Sequence, residues 1–349
     1  MIEGENMFFS LIIPVFNNSK DELDQVIKAL ENQEYKKFEV LLIDDGSKEE
    51  CAQLIDSLCR ISRLNIQVFH IKHRGVSYAR NYGIIHSKGE YIGFVDADDY
   101  VFPNMLDDAA RVLEEKEYHV IYGLIKYQKN GEFIQQSTKA ELKYKQINTC
   151  LKYKLYNHMF NGEQKEFITQ FGYIGRGPVA KFIKRQFCLQ NLFDVSLEFG
   201  EDEEWNLRIL SQDIQAAIVY STWYIYFYRD NSTLHRFRPD FILQKRKELL
   251  ILQSYVRDES SKFEFVNACL GTINNIVRSY YLSPKYKGSI KKMMSEFNFI
   301  LGEAPFAEIF KFSEMQHLPL KRIINFILIK TRLIFIFYLF SLRLAKRKG

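Results

Sequence analysis

Four apolar runs, each followed by an amphipathic helical stretch, constrain the opening third of this chain more than anything else in it. Phe8–Val15, Phe38–Ile43, Ile66–Ile71 and Tyr91–Asp96 have the length and the β-branched and aromatic content of buried strands. After the first, Ser19 and Glu22 form a capping box, and Leu23, Val26, Ile27 and Leu30 recur at helical spacing. Leu54, Ile55 and Leu58 mark a second helix, and Gly75–Ile85 a third. Pro103 opens a fourth, carrying Met105, Leu106, Ala109, Val112 and Leu113. Strands alternating with helices of this length require right-handed crossovers, which predicts an α/β fold with a Rossmann-like, mostly parallel sheet flanked by helices.

The fourth strand stops at Asp96-Ala97-Asp98-Asp99. In such a sheet ligands bind beyond the carboxyl ends of the strands. Asp96 and Asp98 are two apart, so an extended chain points them to the same side. Carboxylates of this kind suit Mn²⁺ or Mg²⁺, which in turn neutralise a diphosphate. A solvated acidic turn, with Asp99 or Asn104 capping the next helix, explains the acids alone equally well. No GxGxxG or Walker loop follows any strand, and Gly172, Gly175 and Gly177 lack the strand-to-helix setting. A bound diphosphate would therefore be held by a metal and by cations.

Charge and cysteine content narrow the setting. The net charge of +5 is uneven: Lys321–Gly349 holds eight Lys and Arg and no acid, which leaves 40 basic against 43 acidic residues in the body. A nucleic-acid binder would carry its basic patch on the folded domain. Here the patch lies on an apolar segment interrupted by Lys330 and Arg332, too broken to span a bilayer but suited to its surface. Packing of this segment on its own domain or on a partner subunit is the alternative. Cys51, Cys59, Cys150, Cys188 and Cys269 are scattered with no CxxC, as expected of reduced thiols. Glu3 and Glu5 precede the first apolar run, unlike a secretory signal. The expected location is the cytoplasm, peripheral on the inner face of the cytoplasmic membrane.

Four stretches, in this order, carry a family likeness. They are Phe9-Ser10-Leu11-Ile12-Ile13-Pro14-Val15-Phe16-Asn17, Val40-Leu41-Leu42-Ile43-Asp44-Asp45-Gly46-Ser47, Gly75-Val76-Ser77-Tyr78-Ala79-Arg80-Asn81 and Asp96-Ala97-Asp98-Asp99. They resemble family-2 glycosyltransferases with the GT-A fold, of the bacterial polysaccharide, capsule and O-antigen type. The likeness covers about residues 7–115 and resumes at Phe199-Gly200-Glu201-Asp202-Glu203-Glu204-Trp205.

The residues themselves suggest that Pro14, Val15 and Phe16 lie beside a nucleobase, that Asp45 accepts its imino N–H, with a turn or helix cap feeding Gly46-Ser47 as the alternative, and that Arg80 reaches the phosphates, with a surface helix arginine as the alternative. Asp44 is expected to brace the loop. The resemblance implies that Asp96 holds the ribose, with Ala97 between it and the metal ligand Asp98. It implies that Lys181 lies near the donor and that Asp202 is the general base. A plain helix cap is the alternative for Asp202. Arg229, His235 and Arg236 are candidates for a lid over the phosphates. The implied domain layout is a catalytic domain at 1–235, a helical appendage at 236–320 and the basic tail at 321–349. Within the catalytic domain, 1–105 forms the nucleotide-sugar half and 106–235 the acceptor half. The implied function is inverting transfer of a hexosyl or N-acetylhexosaminyl group, from a UDP-sugar by expectation, to a saccharide or lipid-linked oligosaccharide. A sugar-nucleotide nucleotidyltransferase would carry a basic glycine-rich loop after the first strand, which Asn17-Asn18-Ser19 does not supply. A non-catalytic glycan-binding or scaffold subunit would be free to lose the acids, and all of them are present.

Overall fold

The computed structural model describes residues 9–129, 141–161, 165–228, 238–312 and 320–336, which fall in two compact units, 1–229 and 230–349. The first unit opens with β1 (Phe9–Val15), α1 (Lys20–Glu31), β2 (Phe38–Asp44), α2 (Glu49–Ile61), β3 (Ile66–His70), α3 (Val76–His86) and β4 (Tyr91–Phe94). Every residue of β2 and β4 is buried, because helices cover both faces of a parallel sheet. That is why these strands read as largely apolar runs, with Glu39 of β2 kept inside by the Ser10 hydroxyl, which donates to it at 2.6 Å. The capping box at Ser19 and Glu22 closes in both directions. Leu23, Val26 and Leu30 of α1 are fully buried, each contributing about 1.5–3 kcal/mol relative to exposure.

The unit continues with β5 (Tyr100–Val101), α4 (Met105–Glu115), β6 (Val120–Lys129), β7 (Tyr144–Gln146), α5 (Thr149–Asn161) and α6 (Lys165–Phe171). Then come β8 (Lys181–Lys184), α7 (Arg185–Gln190), α8 (Glu201–Leu210) and β9 (Ala216–Tyr228). The strands form one sheet in the order β3-β2-β1-β4-β8-β6-β9-β5, with β7 also on β9. The longer pairings, β1 with β2 and β6 with β9 among them, are parallel. The antiparallel ones involve two or three residues each. β8 is inserted antiparallel between β4 and β6 and so joins the two halves of the sheet. The fourth expected strand stops at Phe94, two residues before Asp96, which leaves the acids on a turn.

Gly46 closes the turn after β2 at φ +72°, and a Cβ there would lie 2.6 Å from the backbone nitrogen of His73. No other residue fits both the backbone angle and the space.

The second unit is helical: α9 (Phe241–Ser254), α10 (Glu259–Asn275), a π-helical turn at Ile276–Tyr281, α11 (Ile290–Gly302), a 3₁₀ turn at Phe306–Lys311 and α12 (Leu320–Lys330). Leu249, Leu270, Ile273, Phe297, Phe306 and Ile309 form its core. The tail expected to be one interfacial helix is interrupted: α12 ends at Lys330, and Arg332 adopts φ +64°. A positive φ at a residue with a Cβ cannot continue a right-handed helix.

Candidate active site

The carboxyl ends of β1, β2 and β3 are aligned by register, with Val15 opposite Asp44 and Asp44 opposite His70. Asp44 accepts the Ser47 N–H at 2.9 Å and faces His70 Nδ1 at 2.7 Å. Asp45 accepts the backbone N–H of Arg74 and of Gly75, each at 2.8 Å. Both acids therefore brace loops, where Asp44 was expected to be the brace of the two. Asp45 ties the end of β2 to the start of α3; its Oδ2 also faces His73 Nδ1 at 2.9 Å, and its Oδ1 keeps a lone pair for a further donor. Pro14 and Val15 lie on β1, and Phe16 beyond them is 49% exposed. Its ring stacks on His73, centroids 4.2 Å apart at 16°. His73 Nδ1 also lies 2.9 Å from the Asp45 carbonyl. Nothing in the sequence singled out His73, because its position depends on the fold of a loop.

Arg80 is buried in α3 and faces carboxylates. Its Nη1 donates to Asp202 Oδ1 at 2.7 Å and lies 3.6 Å from Glu201 Oε1. Its Nη2 donates to Asp96 Oδ1 at 3.3 Å. Burial works against the charge, but Asp202, Asp96 and Glu201 outweigh it and hold the guanidinium above its ordinary pKa. The cation expected to meet phosphates is thus a bridge between Asp96 and Asp202, acids 106 positions apart in the chain. The next residue, Asn81, pins the same region. Its side chain donates to the Phe193 carbonyl at 2.9 Å and accepts the Phe193 N–H at 2.8 Å. Phe193 then stacks on Trp205 of α8, centroids 4.4 Å apart.

Asp202 stands in the first turn of α8, behind a Gly200 at φ +74°. Gly200 is the N-cap, so Asp202 is not the capping residue itself, although its charge lies in the first turn, where the helix end favours a carboxylate. Desolvation pushes the Asp202 carboxyl up to about 6 against the pull of Arg80. Burial and Asp202 together raise Glu201 well above the usual carboxylate range. Lys181 is buried in β8, and its Nζ donates to the carbonyls of Gly175 and Gly177. Burial lowers its pKa to about 7, although Asp202 draws it the other way. A Cβ on Gly177 would sit 3.5 Å from Asp202 Oδ2, so Lys181 holds the loop that runs beside this carboxylate.

The turn after β4 carries the other acids. The Asp96 N–H donates to the Tyr224 hydroxyl at 3.0 Å. Asp99 is buried and accepts the Phe227 N–H at 3.1 Å, so it fastens β9 instead of capping α4. Asn104 does occupy the N-cap position of α4, but its side chain makes no cap bond there: its amide donates to Asp108 and Ser221. Burial and then Asp96 raise Asp98, and burial with both neighbours raises Asp99 well above its ordinary value. The second oxygen of Asp99 is buried without a hydrogen-bond partner. Carboxylates crowded in this way favour a further cation beside them. A divalent cation held by one or two of them, and completed by phosphate oxygens, fits the donor set. Among the described residues no three His, Cys, Asp or Glu side chains form a closed metal cage. Arg229, His235 and Arg236, the lid candidates, lie outside the described residues.

The profile of "Glycosyl transferase family 2" matches residues 10–184, half of the chain. The chain belongs to this family. The matched span ends on the last residue of β8, where the two halves of the sheet are joined. An uncharacterized glycosyltransferase of Rickettsia bellii is 40% identical over 123 residues, which is 35% of this chain and 17% of that protein. This chain therefore covers a small part of that relative's length. The uncharacterized glycosyltransferase EpsJ of Bacillus subtilis is 25% identical over 348 residues, 97% of both chains. Among solved structures, Staphylococcus aureus TarS 1–349 in complex with UDP-GlcNAc superposes with a TM-score of 0.55 at 20% identity. That match covers 85% of this chain and 80% of TarS 1–349, and it shows a shared fold.

Proposed function

We propose that this family-2 chain is an inverting glycosyltransferase that moves a sugar from a UDP-sugar to a hydroxyl of a saccharide or lipid-linked oligosaccharide in cell-surface polysaccharide synthesis. The observation that carries the reading is the Arg80 bridge, which sets a high-pKa carboxylate beside the acid turn after β4. Asp202 takes the acceptor proton as its oxygen attacks the sugar carbon and the diphosphate departs from the opposite face. One base and no separate nucleophile agree with a single displacement and inversion. Phe16 and His73 offer a flat surface for the nucleobase beside Asp45. Asp96 serves the ribose, and Arg80 sets the spacing between the donor acids and the base. Asp98, with Asp96 beside it, would hold Mn²⁺ or Mg²⁺, which would neutralise charge on the leaving diphosphate. TarS, whose UDP-GlcNAc complex has this fold, supports a UDP-sugar donor, and a TarS sequence named a poly(ribitol-phosphate) β-N-acetylglucosaminyltransferase supports a cell-surface acceptor.

The test is release of UDP from UDP-sugars by the purified chain with Mn²⁺. Release should rise on addition of the true acceptor. Asp98→Ala should keep the fold but lose the Mn²⁺-dependent part of UDP stabilisation in a thermal-shift assay. Undiminished Mn²⁺-dependent stabilisation in that variant removes Asp98 from the metal site.

The second unit supports attachment to a membrane surface. No helix among the described residues is long and apolar enough to cross a bilayer. On α12, however, Leu320, Ile324 and Ile327 are 72%, 47% and 51% exposed and fall on one helical face, with exposed Lys321 near its start and Lys330 at its end. An apolar stripe with basic flanks suits an anionic lipid interface. Deleting the tail is a poor test, since Ile329, Ile334 and Phe335 are buried. Ile324→Glu with Ile327→Glu should instead abolish co-sedimentation with phosphatidylglycerol vesicles and leave the melting temperature unchanged. Retained binding would assign the stripe to a protein partner.

A further inference from the structure

A row of tyrosines leads outward from the acid turn, and beyond Tyr224, which holds Asp96, the donor chemistry assigned above uses none of it. Tyr224 and Tyr226 are two apart on β9, so their side chains leave the same face of the sheet. The Tyr224 hydroxyl anchors the row at the acids, where it accepts the Asp96 N–H. Burial and then the charges of Asp99, Asp96, Asp98 and Asp202 push the Tyr226 phenol up to about 12, so all four acids lie within its electrostatic reach. Tyr226 stands opposite Tyr127 of β6 in the strand register, ring centroids 5.3 Å apart. The Tyr127 ring meets that of Tyr173 edge-on at 4.9 Å, and its hydroxyl donates to the Tyr173 hydroxyl at 2.8 Å. Tyr173 belongs to the loop that reaches Asp202. Gly177, four residues on, is the one whose Cβ would touch the carboxylate, and four residues span at most about 14 Å. Between them Arg176 pairs with Glu203 of α8 at 2.9 Å.

We propose that Tyr127, Tyr173 and Tyr226 form the acceptor subsite, and that the exposed face of Tyr127 takes a pyranose ring of the acceptor saccharide. This rests on the glycosyltransferase reading. Tyr127 is 54% exposed although its ring packs against those of Tyr173 and Tyr226 and its hydroxyl is bonded to Tyr173. A tyrosine placed only to fill the core would be covered. Held as it is, the ring offers a rigid, partly exposed apolar surface at little cost in rotamer entropy. A pyranose presents its axial C–H groups to such a face and keeps its hydroxyls at the rim. One of those hydroxyls can then point along the loop toward Asp202. The donor acids mark the other end of the row, so donor and acceptor do not compete for the same ring.

The test uses the full chain labelled with 3-fluorotyrosine and read by fluorine NMR, with the Tyr127 signal identified as the one lost in Tyr127→Phe. The probes are methyl β-glucopyranoside, methyl β-galactopyranoside and methyl N-acetyl-β-glucosaminide, with the open-chain polyol sorbitol as control. The expected result is a saturable shift of the Tyr127 signal with at least one pyranoside and none with sorbitol. Tyr127→Ala should weaken binding of that pyranoside about tenfold, as loss of one stacked ring implies, and Tyr127→Trp should restore it. Binding of UDP-GlcNAc with Mn²⁺ should be the same in wild type and in Tyr127→Ala. No pyranoside response, an equal response to sorbitol, or unchanged affinity in Tyr127→Ala overturns the subsite. The wild-type titration decides even if the alanine variant does not fold. Failure of the glycosyltransferase reading shows separately, as absence of UDP-GlcNAc binding by the wild type in the same samples.

Discussion

Asp202→Asn should slow sugar transfer by roughly 10²–10⁴-fold, the usual contribution of a positioned general base. A sugar hydroxyl is a poor nucleophile at neutral pH, and its proton must leave as the new bond forms. Asparagine keeps the size and, through Oδ1, can still accept the 2.7 Å hydrogen bond from Arg80. It cannot take a proton. Replacing the desolvated carboxylate by an amide also relieves part of its burial cost, which offsets the lost charge pairing, so the melting temperature should stay within a few degrees. Donor affinity should not change, because the lost interaction belongs to the acceptor proton. The wild-type rate should rise with pH as Asp202 deprotonates near 6 and level off above. Near-normal transfer by the asparagine variant with the true acceptor would move the search for a base to Glu201 and Glu203.

Arg80→Met should have the largest effect on stability. It removes the cation shared by Asp202, Asp96 and Glu201 in a buried site. Breaking a buried pair by deleting one partner costs about 3–5 kcal/mol, or roughly 10 °C in a domain of this size. Arg80 holds the Asp202 pKa down, so its loss should move the acid limb of the pH–rate profile to higher pH. The sign of the stability change follows. Acids whose pKa is raised in the folded state bind extra protons there, so their contribution is present at low pH and lost as pH rises. The melting deficit of Arg80→Met should therefore be smaller at pH 5 than at pH 8. A deficit equal at both pH values, with an unmoved acid limb, would mean that Arg80 fills space and holds no carboxylate.

Much of the first 115 residues could be read directly, because local signals and tertiary structure agree there. The capping box at Ser19, the helical spacing of α1 and the fully buried β2 each follow from a short window of sequence. The 133–170 region did not read clearly. Leu151, Leu155, Tyr156, Met159 and Phe160 of α5 are buried at helical spacing, but lysines and tyrosines between them blur the period. The site divides along the same line. The acid motifs are local, so Asp96, Asp98 and Asp202 could be named. That Arg80 would bridge two of them, that Asn81 would hold Phe193, and that His73 would stack on Phe16 depend on long-range pairing that no window contains.

The insertion of β8 bears on how the chain comes to be folded at all. β4 hydrogen-bonds to β1 on one side and to β8 on the other, and β8 begins some 90 residues later in the sequence. Until that segment has been synthesised, one edge of β4 is an unpaired, wholly apolar strand, the kind of edge that recruits other chains. Closing the sheet across so long a separation makes this step slow relative to the local helices. A nascent chain cut near residue 115 should therefore stick to chaperones or aggregate, even though its strand and helix signals are clear. Once β8 is in place, α8 needs fewer than thirty further residues, so the shelter of the sheet and the arming of the site arrive almost together.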